Sequence, residues 1–184
     1  GGTTWKRLEG NGLPKSPVGK IGLAMTKANS QRIYAQIETG DSVPALNVPQ
    51  PANGRLFRSD DGGATWKVVS YDRQMMGRTH YYSRMAAMPD NQDEAYFLAS
   101  NWSKTLDGGK TIIDPPFAET AGGDHHDIWI DPTNGQRMIV SHDGGVSVTN
   151  NRGNTWLRTQ LPIAQMYHVT TDTRIPYTVC GNRQ

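Results

Sequence analysis

Asp124-His125-His126-Asp127 is the densest run of chemistry-bearing side chains here, with two carboxylates and two imidazoles in four consecutive residues. A further carboxylate, Asp143, sits inside His142-Asp143-Gly144-Gly145. Paired carboxylates from separate loops are what glycosidic bond cleavage requires. One protonates the leaving oxygen while the other activates water or attacks. On that reading Asp124 and Asp143 are the catalytic pair, and His125 and His126 contact substrate. A set of His and Asp donors can instead hold a divalent cation. Successive strand residues point to opposite faces, so both histidines reach one ion only if the backbone kinks between them. The plainer alternative makes Asp124 a turn cap, one histidine a packed residue and Asp143 a hairpin residue. No cofactor beyond such a cation is expected.

Trp102, Tyr81, Tyr82, Arg78, His80 and Arg84 are of the types that build a sugar platform. Flat rings offer apolar surface to a pyranose face, and Arg supplies planar donors. Of these, Trp102, Tyr81 and Arg78 are the substrate-binding candidates beside His125 and His126. Asn101-Trp102-Ser103 also fits the glycan acceptor pattern, which has meaning only in a eukaryotic secretory route.

What must position these residues is a repeated turn. Ser59, Asp61, Gly63, Thr65 and Trp66 fill an octet of hydroxyl, any, Asp, any, Gly, any, Thr, aromatic. Thr105, Asp107, Gly109, Thr111 and Ile112 repeat it with an aliphatic end, and Thr149, Asn151, Gly153, Thr155 and Trp156 repeat it with amide for acid. Gly2, Thr4 and Trp5 match the tail of a fourth copy. A short carboxylate or amide accepts from backbone N-H groups a few residues on, and glycine takes the positive φ of a tight turn. The closing aromatic then starts a strand directed into an apolar layer.

These octets resemble the Asp-box (BNR) repeats of β-propellers. That family includes sialidase-like and xyloglucanase-like glycoside hydrolases and the sortilin-type (VPS10) receptor domains. The resemblance covers nearly the whole chain and implies an all-β propeller segment of radially arranged four-stranded antiparallel blades. It places each octet between the third and fourth strands of a blade, in a structural and not a chemical role. It also implies an extracellular or cell-surface setting. No spacing here matches the arginine cluster with which sialidases bind a carboxylate.

On that plan residues 1–5 end one blade, and 6–69, 70–114 and 115–159 form three more. Residues 160–184 start another. From turn residue Asn91 to Asp107 is 16 positions and from Asn134 to Asn151 is 17, whereas Asn29 to Asp61 is 32. The excess marks 39–53, with Pro44, Pro49 and Pro51, as a loop insertion, because proline cannot donate to a central strand. Gly22, inside the apolar strand Ile21–Met25, predicts close approach of a neighbouring backbone. Rings close with roughly 4 to 8 blades, so the expectation is that the chain belongs to a larger propeller whose remaining blades are its first partners. The alternative fold is a self-contained β-sandwich of short strands.

Composition agrees and excludes some classes. The 20 glycines and five tryptophans among 184 residues suit a turn-rich β protein. A net charge of +2 with interspersed signs gives no case for nucleic acid. No apolar run approaches the roughly 20 residues of a membrane span. The lone Cys180 excludes an internal disulfide framework and a cysteine metal cluster.

Because blade strands alternate in direction, loops between second and third strands share one end with the loops that lead into first strands. The octet turns take the other end. That puts Asp124, His125, His126 and Asp143 in one expected depression on the loop-rich end. Three function classes stand: a glycan-binding or glycan-hydrolysing propeller, a non-catalytic sortilin-like propeller that binds protein or peptide, and a structural module of an extracellular assembly.

Overall fold

The computed structural model describes residues 2–15, 17–39, 55–77, 81, 83–159 and 166–183. Residues 40–53 of the expected 39–53 insertion, and the expected site residues Arg78, His80 and Tyr82, lie outside the described residues, while Thr39 closes a strand.

The architecture is all β, and the only helical element among the described residues is a single 3-10 turn at Phe117–Glu119. The first sheet runs in the order β1 (Val18–Met25), β2 (Ile33–Thr39), β3 (Leu56–Ser59), β4 (Lys67–Ser70), each antiparallel to the next. The second contains β5 (Arg84–Ala87), β6 (Ala95–Leu98) and β7 (Trp102–Thr105). The third contains β8 (His125–Ile130), β9 (Met138–His142), β10 (Gly145–Thr149) and β11 (Leu157–Thr159). A hairpin follows, β12 (Met166–Thr171) with β13 (Val179–Arg183).

The second sheet departs from four full strands. Its fourth is reduced to one bridge, Lys104 to Ile113. Asp114-Pro115-Pro116 comes next, and two prolines without N-H groups cannot continue a ladder.

The three sheets stack face to face, and the register makes their positions equivalent. Tyr34, Tyr96 and Ile139 occupy the same place in the second strands, opposite Ala24, Ala86 and Trp129 in the first strands. This side of each sheet faces the next one. Tyr34 and Ala24 join Phe97, Met85 and Met75 in a core between sheets one and two. Tyr96 and Leu98 join Trp102, Met138 and Val140 between sheets two and three. Polar atoms finish the joints: Tyr34 Oη donates to Gln92 O at 2.6 Å, Thr26 Oγ1 to Met88 O at 2.5 Å and Gln36 Nε2 to Met75 O at 2.5 Å. Gly22 belongs to this joint, since a Cβ there would lie 2.2 Å from Ser83 O. Only a residue without a side chain lets the two backbones come so close.

The same register exposes the two outer faces of the stack. Leu23 and Met25 are each 63% exposed, although Met85 and Ile128, the equivalents of Leu23, and Ala87 and Ile130, those of Met25, pack against a preceding sheet. Trp129 and Ile139 are 51% and 42% exposed where Tyr34 and Tyr96 are buried.

Candidate functional site

The two ends of the stack differ in how their polar groups are used. At one end the octets saturate themselves. Asp61 accepts from Ser59 Oγ at 2.7 Å, Thr65 N at 2.8 Å and Thr65 Oγ1 at 2.5 Å, while Ser59 Oγ accepts from Gly63 N at 2.8 Å. Thr105, Asp107, Gly109 and Thr111 repeat these bonds. Thr149, Asn151, Gly153 and Thr155 do so too, with Asn151 Nδ2 donating to Thr155 Oγ1 in place of the hydroxyl bond to a carboxylate. Gly62 and Gly108 take φ of 69° and 76°, and Arg152 takes the same place at 61°. Arg152 spans the joint to Asp90 and Glu94 of sheet two. The bonds from Thr65 and Ser59 hold the Asp61 carboxyl at about 2, below its ordinary 3.8. Asp60 next to it is also held at about 2: desolvation opposes this, but hydrogen bonds from Lys67 and Arg58 and the charges of Arg58 and Arg32 prevail. These groups are committed to the fold.

At the other end lie the β6–β7 and β9–β10 loops and the segment leading into β8. Asp124 has φ of 53°, a left-handed conformation that Asp tolerates better than most residues. It turns the chain so that Asp124 N donates to Ser100 O at 3.1 Å and His125 N to Ala99 O at 3.0 Å. Asp143 N donates to Asp124 O at 3.2 Å. The backbones carrying the two expected catalytic carboxylates are therefore stitched together. A register shift between His125 and Asp127 supplies a local kink, yet the two imidazoles still part.

His125 goes inward and is 1% exposed. Its Nδ1 donates to Ala99 O at 3.2 Å, and its ring lies 5.6 Å from Trp102 and 6.2 Å from His142. Burial lowers its pKa, and among the described residues Nε2 has no hydrogen-bond partner. Trp102 is also in the core, 2% exposed, between Tyr96 at 5.1 Å and Trp156 at 5.3 Å. Neither residue forms a surface platform, contrary to the sequence expectation. A tryptophan two residues beyond a loop reads the same on a rim or in a joint, and only the packing of sheet three over sheet two decides which.

His126 goes outward. Its Nε2 donates to Asp143 Oδ1 at 2.6 Å, and Tyr81, 55% exposed, meets its ring edge-on at 6.0 Å. Arg84 Nη1 pairs with Asp127 Oδ2 at 3.1 Å nearby. The structure thus brings together Tyr81, His126 and Asp143, with Asp124 bonded to them through the backbone. No three His, Cys, Asp or Glu side chains among the described residues are grouped to hold a metal ion.

His142 escaped the sequence reading. Gly144 N donates to its Nδ1 at 3.1 Å, so the proton is on Nε2 and goes to Ser147 Oγ at 2.9 Å, which in turn donates to Ala121 O at 2.6 Å. Desolvation first, and then the charge of Arg158, lowers its pKa. A Cβ on Gly122 would fall 2.5 Å from this ring. His142 therefore fixes the floor under the Asp143 hairpin.

The sequence matches no known family profile, and no curated protein matches it. Solved structures do. A GH74 enzyme of Niastella koreensis superposes with a TM-score of 0.58 at 17% identity, over 76% of this chain and 22% of that one. The blades are those of a β-propeller. A GH74 xyloglucanase from Xanthomonas campestris gives 0.52 at 15% identity, over 80% and 24% of the two chains. An ancestral GH74 enzyme gives 0.53 at 16%, over 94% and 22%. The chain thus spans less than a quarter of the propeller enzymes it matches, and at these identities the likeness is one of fold.

Proposed function

We propose that this chain forms part of a glycoside-hydrolase-like propeller of the Asp-box kind, in an extracellular or surface setting, that engages a glycan at its loop-rich end. The observation that supports it is the division of labour between the ends. The octet carboxylates and hydroxyls are consumed by their own turns, whereas Tyr81 and Asp143 are exposed and the half-buried His126 lies between them, bonded to Asp143 and against the Tyr81 ring. That combination suits a sugar, whose ring packs on an aromatic and whose hydroxyls bridge donors and acceptors. The likeness to GH74 propellers, one of them a xyloglucanase, favours a β-linked glucan backbone. Asp124 and Asp143 are the carboxylates assigned to hydrolysis, through the acid and base roles such a reaction needs. The open apolar faces at Leu23 and Met25 and at Trp129 and Ile139 are assigned to further blades of the same ring.

The test is titration of the full-length protein with a β-1,4-glucan hexasaccharide, followed by product analysis. Binding that Asp143→Asn and His126→Ala each weaken at least tenfold, with unchanged melting temperature, is the expected result. Binding of wild-type protein that neither variant alters defeats the assignment of this end, and no binding at all defeats the glycan reading. New reducing ends that vanish in Asp124→Asn or Asp143→Asn establish hydrolysis.

A further inference from the structure

A cavity of about 360 Å³ opens beside the Asp143 hairpin, between the β6–β7 loop and the Asp114–Gly122 segment. This volume lies within the ~300–1,000 Å³ of small-molecule sites. Its walls differ in kind. On one side Asn101 Nδ2 donates to Asp114 Oδ2 at 3.4 Å, and both residues are exposed. On the other side stand Pro115, Pro116 and Phe117, the last 66% exposed, and the buried Trp102 also belongs to the lining.

The apolar wall is held in place although it is on the surface. Thr120 Oγ1 lies 2.8 Å from Phe117 O and 2.9 Å from Gly122 O, its one hydrogen shared between the two carbonyls. Arg158 Nη2 donates to Phe117 O and to Thr120 O, each at 2.9 Å, and its guanidinium lies 5.2 Å from the Phe117 ring. An exposed aromatic pinned through its own carbonyl loses little entropy when a ligand lies against it.

The charges select the ligand. Arg158 already sits against Phe117, so a second cation on that ring is repelled. Asp114 opposes an anion on the other wall. What remains is a neutral molecule with an apolar face and several hydroxyls, able to bond the amide and carboxyl as donor and acceptor. We propose that the Asn101, Asp114 and Phe117 cavity is a binding subsite for one neutral pyranose residue, its ring laid on Phe117 and its vicinal hydroxyls bridging Asn101 and Asp114. The subsite rests on the glycan reading given above and extends it. Gly122 lines this cavity, and the adjacent Gly123 O accepts from Asp143 N at 3.3 Å, so one oligosaccharide running along this end meets both places.

Calorimetric titration of the full-length protein with the β-1,4-glucan hexasaccharide and with a hexalysine peptide tests it, in wild type, Phe117→Ala, Asp114→Asn with Asn101→Ala, and Asp143→Asn. The subsite is supported if the first two variants lose at least fivefold in hexasaccharide affinity at unchanged melting temperature while hexalysine fails to bind. It is overturned, with the glycan reading intact, if Asp143→Asn weakens the hexasaccharide but the cavity variants do not. Hexalysine binding lost in Phe117→Ala overturns it in favour of a cationic ligand. Absence of any hexasaccharide binding overturns both readings. Tryptophan-independent readouts are preferable, since Trp102 lies at the wall and its emission also reports core changes.

Discussion

Replacing Trp102 by alanine decides whether this side chain holds sheets two and three together or meets a ligand. The indole is 2% exposed and contacts Tyr96, Trp156 and His125 at ring distances of 5.1, 5.3 and 5.6 Å. Removing a buried aromatic costs about 3–5 kcal/mol through lost transfer energy and the cavity left behind. Two aromatic pairs, worth about 0.5–1.5 kcal/mol each beyond area burial, place the expectation toward the upper end of that range. For a unit of this size about 1 kcal/mol moves the melting temperature by roughly 2–4 °C, so the loss is on the order of 10 °C or more. Chemical denaturation followed by far-ultraviolet circular dichroism measures it, with Trp102→Phe expected to recover much of the deficit. Unchanged stability together with weakened hexasaccharide binding would show the indole at the surface and refute the packing argument.

Gly22→Ala places a Cβ 2.2 Å from Ser83 O, a backbone atom that cannot rotate away. A loss of about 1–3 kcal/mol is expected from overpacking, and a gain, as alanine gives where there is room, would show that the first two blades are not in close contact there. Acid sensitivity should come in two stages. The folded-state pKa values of His125 and His142 are lowered by burial. Their contribution is therefore complete above the ordinary 6.5 and declines as pH falls below it. Asp60 and Asp61, both held at about 2 against an ordinary 3.8, contribute fully above pH ~4 and lose that contribution as pH falls toward 2. Asp107, Asp131 and Asp172 are lowered in the same sense, while Asp114, raised by desolvation and by the charge of Asp72, acts in the opposite one. Melting temperature from pH 8 to 2 measures both stages. Asp61→Asn should shrink the second stage by lowering the melting temperature near neutrality while leaving it little changed near pH ~2, and the chain should still fold, as Asn151 already fills that place in the third octet; an unaltered drop between pH ~4 and ~2 would contradict the assignment of that stage to Asp61.

The sequence alone determined the repeat, and with it the fold. The octets are local: each hydroxyl, carboxylate and glycine meets its partners within four residues, as from Ser59 to Gly63 and from Asp61 to Thr65. Spacing in sequence is then spacing in structure. Gly22 was legible for a related reason, because a glycine inside an apolar strand has few explanations other than a close neighbour. The site was legible only in part. That His125 and His126 diverge follows from strand alternation, but which of them faces solvent depends on where sheet two lies relative to sheet three. Trp102 could not be placed from its own neighbours either, because the rings that bury it are Tyr96 of β6 and Trp156 of a different blade. The cavity beside Phe117 was invisible for the same reason: Asn101 and Asp114 come from two loops, and Arg158, which pins the wall, is 41 residues from Phe117. Local hydrogen bonding writes the turns into the sequence, whereas burial and the meeting of loops arise between blades, where only tertiary packing decides which side chains share a surface.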